Sequence, residues 1–296
     1  MTGRHPTVSI VIPALNEALN LPHVMAKLPP ADEVILVDGG SVDDTVAVAQ
    51  RLLPSVRIVR QSRRGKGNAL ACGFAAATSD IIVMIDADGS TDPAEIPLFV
   101  EKLIAGADFV KGSRFLAAGG SADITRSRSL GNRALNSLVN ALFNTGYTDL
   151  CYGYNAFWAR CLPVFDLDHT SPRPAGDGRL WGDGFEIETL LNLRVARARL
   201  RVEEVPSFEH ERIHGDSNLN AVTDGTRVLR TIAREWLRQP RAGEPQAPAA
   251  TPQQPLRPGL RDAAQRRRPW RRRKKQTEPF LPQQARRKSL INDGQS

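Results

Sequence analysis

"DIIVMIDADGSTD", residues 80–92, decides how the rest of the chain is read. An unbroken apolar run, the mark of a strand buried on both faces, leads directly into Asp86, Asp88 and Asp92. Like charges gathered at one spot repel one another and lose solvation. Either the turn is well solvated, or a cation offsets the charge. Two carboxylates two residues apart at a strand end can direct hard oxygen ligands to Mg²⁺ or Mn²⁺ and leave coordination positions for phosphate oxygens.

Working outward, "VSIVI" (8–12), "EVILV" (33–37), "VRIV" (56–59) and "DFVKG" (108–112) repeat the apolar pattern of "DIIVMI" (80–85). Helical spacing fills residues 19–28, 44–53 and 68–77 between them. This alternation predicts an α/β fold, a Rossmann-like, mostly parallel sheet with helices on both faces. "YNAFWA" (154–159) and "LRVEEVP" (200–206) read as further strands, and residues 127–144 and 219–237 as helices. Within 127–144, Leu135, Leu138 and Leu142 share one helical face, while Arg128, Asn132, Asn136 and Asn140 recur at i+4 on another. That polar stripe reads as a solvated face.

With 296 residues, 41% hydrophobic and 24% charged, the composition is that of a soluble globular protein with room for one large α/β domain. The net charge of +8 is uneven: residues 241–296 hold 14 Lys/Arg against 4 Asp/Glu, a net of +10, leaving −2 for residues 1–240. "PRAGEPQAPAATPQQPLRPG" and "RRRPWRRRKK" offer too little apolar area to offset the entropy of ordering. The expected organisation is a folded domain over 1–239 and a disordered Pro/Gln/Arg-rich basic tail over 240–296. An arginine run attracts phosphate regardless of sequence and suits anionic lipid equally. The tail is read either as a peripheral contact with anionic membrane or as an inert solvated extension. A nucleic-acid-binding module is the poorer reading, because it leaves the carboxylate turn unexplained.

No apolar leader opens the chain and no run approaches the length of a bilayer span, so the expected location is the cytoplasm, at the inner face of the membrane. Cys72, Cys151 and Cys161 form no C-x-x-C pair and read as reduced core residues. "HERIH" (210–214) spells the two-histidine zinc pattern, but Pro206 and Gly215 deny it the several helical turns it needs.

In an open parallel sheet, ligands bind beyond the carboxyl ends of the strands. Those ends carry "PALNE" (13–17), "DGGSVDDT" (38–45), "RRGKGNA" (63–69) and "DADGSTD" (86–92). Together "VSIVIPALNE", "EVILVDGGSVDDT", "GKGNAL" and "VMIDADGSTDP" resemble the family 2 glycosyltransferases, of the glycosyltransferase-A fold, over residues 7–237. The resemblance implies an inverting enzyme dependent on Mg²⁺ or Mn²⁺, with a nucleoside diphosphate sugar as donor. It implies that Pro13, Ala14, Asn16 and Glu17 border the nucleotide, that Asp38 reads the base, and that Lys66 approaches the nucleotide or its pyrophosphate. Asp86 and Asp88 would handle metal and diphosphate. Gly39 stands where many members carry a second acidic residue.

"KGSRF" (111–115), "SRSLGN" (127–132) and "RIHGDSNL" (212–219) resemble the branch containing dolichol-phosphate mannose synthases and other polyprenyl-phosphate glycosyltransferases. This implies a polyprenyl-phosphate acceptor met by Arg114, Arg128, Arg212 and Ser217, since a planar guanidinium grips an oxyanion bidentately. Asn218 replaces the lysine usual in the branch, and "CYGYNAFWAR" (151–160) departs from its Ser-Gly-Phe-Arg wording, which points to a distinct acceptor. If the acceptor is a hydroxyl, Asp183 or Glu186 in "WGDGFEIE" (181–188) is the candidate general base. A phosphate acceptor needs none. Asp88, Arg114 and Asp183 are thus the candidate catalytic residues.

Overall fold

Apolar runs become strands and the amphipathic intervals become helices. In chain order they are β1 (Val8–Ala14), α1 (Leu21–Met25), β2 (Glu33–Asp38), α2 (Thr45–Leu52), β3 (Arg57–Arg60), α3 (Lys66–Ala76) and β4 (Ile81–Met84). There follow α4 (Ile96–Ile104), β5 (Phe109–Ser113), β6 (Gly120–Ser121), α5 (Arg126–Phe143), β7 (Asn155–Trp158) and α6 (Leu162–Phe165). The last are α7 (Ile187–Arg197), β8 (Val202–Pro206), β9 (Phe208–Glu209) and α8 (Ala221–Leu237). This computed structural model describes residues 5–175, 179–215 and 221–238; Ser217, Asn218 and the basic tail lie outside them.

Among the described residues, seven strands form one sheet in the order β3-β2-β1-β4-β7-β5-β8. β1 runs parallel to β2 and β4, β2 to β3, and β5 to β8. β7 is antiparallel to both neighbours, β4 and β5. β6 and β9 make a small parallel pair. α3 packs along β1, β2 and β3, and α4 against β5, β7 and β8. Ile10, Ile12, Ile35, Leu36, Leu70 and Phe99 are fully buried between these layers. Each such side chain stabilises the fold by about 1.5–3 kcal/mol relative to exposure.

α1 is shorter than the spacing of residues 19–28 predicts. Pro22 fits its first turn, but Pro29 and Pro30 lack backbone donors and bias the preceding residues towards extended backbone, so the helix stops at Met25. Residues 210–215 are not helical, in keeping with the reading of "HERIH" as no zinc helix. Cys72 and Cys161 are buried and Cys151 partly so, all three free thiols. No helix among the described residues is long and apolar enough to cross a membrane.

The polar stripe of α5 is a correction: its middle, Asn132 and Asn136, is buried and not solvated, while Arg128 and Asn140 are partly exposed. Asn132 and Asn136 are 5% and 6% exposed. Asn132 Nδ2 donates to Asp149 Oδ1 at 3.0 Å, and Asn136 Oδ1 accepts from Leu150 N at 2.8 Å. Asn140 brackets Tyr147, accepting from its N–H and donating to its carbonyl, both at 2.9 Å. The segment 147–150 runs beneath the helix with no strand partner there, and its backbone groups must be satisfied. The asparagines supply those bonds.

Candidate active site

The carboxyl ends of β1, β2 and β4 lie side by side, because Ala14 pairs with Asp38 and Val11 with Met84. The two loops that leave β1 and β2 are pinned to each other. Asn16 adopts left-handed backbone, with φ at 58°, and its Oδ1 accepts from Val42 N at 2.9 Å. Glu17 N donates to the Thr45 hydroxyl at 2.8 Å. Asp38 is buried and accepts from Ser41 N at 3.0 Å. Beside it opens a cleft of about 330 Å³ lined by Asp38, Arg60, Gln61, Arg63, Arg64 and Arg173 with the backbone of residues 39–41. Pro13 and Ala14 end β1 next to this region.

The puzzle of the carboxylate turn is resolved by two cations of the chain itself. Lys66, at the start of α3, places Nζ 2.6 Å from Asp86 Oδ1 and 2.8 Å from Glu188 Oε1. Burial alone would strip its proton, but the two carboxylates overcome that and raise its pKa. One ammonium cannot fully satisfy both acids, and burial pushes the Glu188 carboxyl up despite Lys66. Arg212 takes the other side: Nη1 lies 3.1 Å from Asp88 Oδ2, and Nη2 bonds Glu17. Glu17 is also pushed up, chiefly by burial, with Asn20 and Arg212 pulling the other way.

Asp86 and Asp88 keep 27% and 20% of their side chains exposed, so both remain reachable from solvent. Among the described residues, no three His, Cys, Asp or Glu side chains cluster to hold a metal. The accessible carboxylates that could serve a metal at this strand end are Asp86 and Asp88. That donor set fits Mg²⁺ or Mn²⁺, which bind through one or two carboxylates plus water and substrate phosphates.

The glycines of "RRGKGNA" permit a close backbone approach that no side chain would allow. A Cβ on Gly65 or Gly67 would stand 2.0 or 1.8 Å from the carbonyl oxygens of Asp183 and Gly182, and Gly67 N donates to Asp183 O at 2.8 Å. Across this contact Arg63, which sequence reasoning left unassigned, holds Asp183 with Nε to Oδ2 at 2.8 Å and Nη2 to Oδ1 at 2.9 Å. Asp183 Oδ2 also accepts from Leu180 N at 2.6 Å. Asp183 is 3% exposed, so the candidate base is spent on a buried ion pair and loop geometry. Glu186 differs: its Oε1 accepts from Gly182 N and Gly184 N, while the buried Oε2 has no hydrogen-bond partner.

The expected phosphate arginines do not form one open site. Arg114 is 8% exposed and closed in by acids, with Nε and Nη2 on Asp149 at 2.7 and 2.9 Å and Nη1 on both oxygens of Glu209 at 3.0 Å. In this structure its guanidinium is thus matched by two acids. Arg128, in the first turn of α5, is partly exposed and pairs with Asp123 at 2.9 Å. Arg212 alone of the three reaches the strand-end carboxylates. Glu188, Asp149 and Glu209 were not singled out from sequence. Of these, Glu188 carried a signal, a carboxylate in the first turn of a helix beside "WGDG".

Comparison with known proteins supplies a second line of evidence. Residues 9–162 match the family model described as Glycosyl transferase family 2. An uncharacterized glycosyltransferase of Mycobacterium tuberculosis is 43% identical over 112 residues, 38% of this chain and 50% of that protein. The chain thus spans about half the length of that relative. An undecaprenyl-phosphate mannosyltransferase of Micrococcus luteus is 30% identical over 243 residues, covering 77% of this chain and 96% of its own. The crystal structure of glucosyl-3-phosphoglycerate synthase from Mycobacterium tuberculosis, in complex with Mn²⁺, UDP and glucosyl-3-phosphoglycerate, superposes with a TM-score of 0.58 at 24% identity. It covers 78% of this chain and 80% of that one, and the shared fold is the glycosyltransferase-A arrangement.

Proposed function

This chain belongs to glycosyltransferase family 2, and from that premise we propose that it transfers a sugar, with inversion, from a nucleoside diphosphate sugar to a polyprenyl phosphate. The observation that carries the reading is the pair of accessible carboxylates at the end of β4, each matched to a cation of the chain. The nucleotide is assigned to the cleft at Asp38, bordered by Pro13, Ala14, Asn16 and Glu17. Asp86 and Asp88 would hold Mg²⁺ or Mn²⁺, which supplies positive charge for the departing diphosphate.

Lys66, kept protonated between Asp86 and Glu188, adds a fixed positive charge as the bond from the anomeric carbon to the diphosphate breaks. The bonding pair leaves with the diphosphate. An acceptor phosphate oxygen forms the new bond from the opposite face and, already anionic, requires no base. The relatives named for polyprenyl-phosphate substrates support this acceptor class. One observation favours a hydroxyl acceptor as the second reading: Glu186 keeps an uncommitted buried oxygen, whereas Asp183 does not. In that case Glu186 takes the proton. The basic tail, from residue 240, is proposed to hold the enzyme at anionic lipid on the cytoplasmic side.

The test is a screen of UDP-, GDP- and dTDP-sugars with Mg²⁺ or Mn²⁺, with and without undecaprenyl phosphate. The expected result is an organic-extractable sugar lipid formed only when metal and lipid phosphate are both present. Transfer only to a soluble hydroxyl establishes the second reading, and no turnover of any donor defeats both.

A further inference from the structure

β9 continues into a strap, residues 210–215, that runs along the end of β4. His210 N donates to Ser90 O at 2.8 Å and Ile213 N to Asp88 O at 3.3 Å, while the Ile213 side chain lies over Gly89. His214 is fixed from the far side, its N–H on Asn20 Oδ1 at 2.9 Å and its carbonyl receiving Asn20 Nδ2 at 3.1 Å. This seating brings Arg212 to Asp88 and Glu17.

The root of the strap is Glu209. Its carboxylate takes Arg114 Nη1 on both oxygens at 3.0 Å and the Ser121 hydroxyl besides. Its carbonyl receives Ala122 N at 2.9 Å. Arg114 is stacked on Tyr152, 4.8 Å from the ring centre, with its remaining nitrogens on Asp149. Every nitrogen of this guanidinium already donates to a carboxylate, so its charge is matched by Asp149 and Glu209. An incoming phosphate would meet repulsion and would have to eject a buried partner. Yet only two residues lie between Glu209 and Arg212, three Cα steps or at most about 11 Å of extended chain. A shift at the root is therefore carried to the Asp88 contact.

Resting on the reading of this site as a glycosyl-transfer centre, we propose that Arg114 is a positioning residue. Through Glu209 it fixes the strap and so sets the approach of Arg212 to Asp88, and it makes no contact with substrate itself.

Arg114→Ala would strand the buried Asp149 and the partly buried Glu209 and risks unfolding. Glu209→Gln keeps the volume and leaves Arg114 and Asp149 paired one to one, so it is the primary variant, with Arg114→Lys as the second. In the full-length protein without substrate, backbone amides of residues 208–215 should exchange with D₂O about tenfold faster in either variant, while β1 and β2 stay unchanged. In turnover, the loss of kcat/KM caused by Glu209→Gln, about tenfold, should vanish in an Arg212→Ala background, because residues acting through one another are not additive. Unchanged strap exchange overturns the proposal. So do additive losses accompanied by a raised KM for polyprenyl phosphate, which would make Arg114 a direct phosphate ligand. Should the wild type turn over no donor, the glycosyl-transfer reading fails separately and strap exchange alone decides the positioning role.

Discussion

At the end of β4, Asp86 and Asp88 are each held by a single cation and keep an exposed edge; beyond β5, Asp149 and Glu209 close completely around Arg114. The first arrangement is exchangeable, because an ion or a diphosphate reaching from solvent can enter it at modest desolvation cost. The second is structural, because removing one partner leaves a buried charge alone. Asp183 belongs with the second kind, although its place in the sequence beside glycines suggested the first. We therefore assign the strand-end charges of Asp86 and Asp88 to chemistry, and the enclosed pairs made by Arg114 and Arg63 to holding loops in place.

The largest way to break this division is Asp183→Ala. A structural acid, cut away from the buried Arg63, should cost about 3–5 kcal/mol of stability, read as a clear drop in the thermal midpoint. A general base at this position would instead lose turnover with the midpoint intact. Next in size is Asp86→Asn, which should lower transfer by about a hundredfold while leaving the midpoint nearly unchanged, in line with the loss of one preorganised electrostatic group. A stability loss without a kinetic one would place Asp86 on the structural side.

Asn132→Ala sharpens the acceptor side. A buried donor to Asp149 should be worth about 1–3 kcal/mol in chemical denaturation, where a solvated asparagine would register within about 0.5 kcal/mol. The smallest effect concerns Cys151. Burial first, and the Asp149 carboxylate after it, push its thiol up to about 11. The thiolate is the reactive form, so alkylation of Cys151 should be slow near pH 8 and accelerate only as pH climbs towards that value. Labelling with an ordinary free-thiol profile would show the segment beneath α5 to be open.

What the sequence displayed follows the same line. The strand ends were legible because a parallel sheet exposes its carboxyl ends at one edge, which placed the motifs holding Asn16, Asp38, Lys66 and Asp86 together, while the role of each residue came from the family resemblance. The reversed direction of β7 was not, since an apolar run reports burial on two faces and not orientation. The asparagine stripe of α5 was visible as a period, yet whether it faced water or Asp149 depended on where residues 147–150 fold. The pairs Arg63 with Asp183 and Arg114 with Glu209 join residues 120 and 95 positions apart. No local pattern couples such residues; only the assembled fold does.

We propose that the accessible carboxylates at the end of β4 form a metal and diphosphate site. Titration of Mn²⁺ followed by electron paramagnetic resonance, with UDP present, tests it most directly in the wild type and in Asp88→Asn. A metal and diphosphate site there should give nucleotide-dependent Mn²⁺ binding that weakens by about tenfold or more in the variant. Equal Mn²⁺ affinity in both proteins would contradict it.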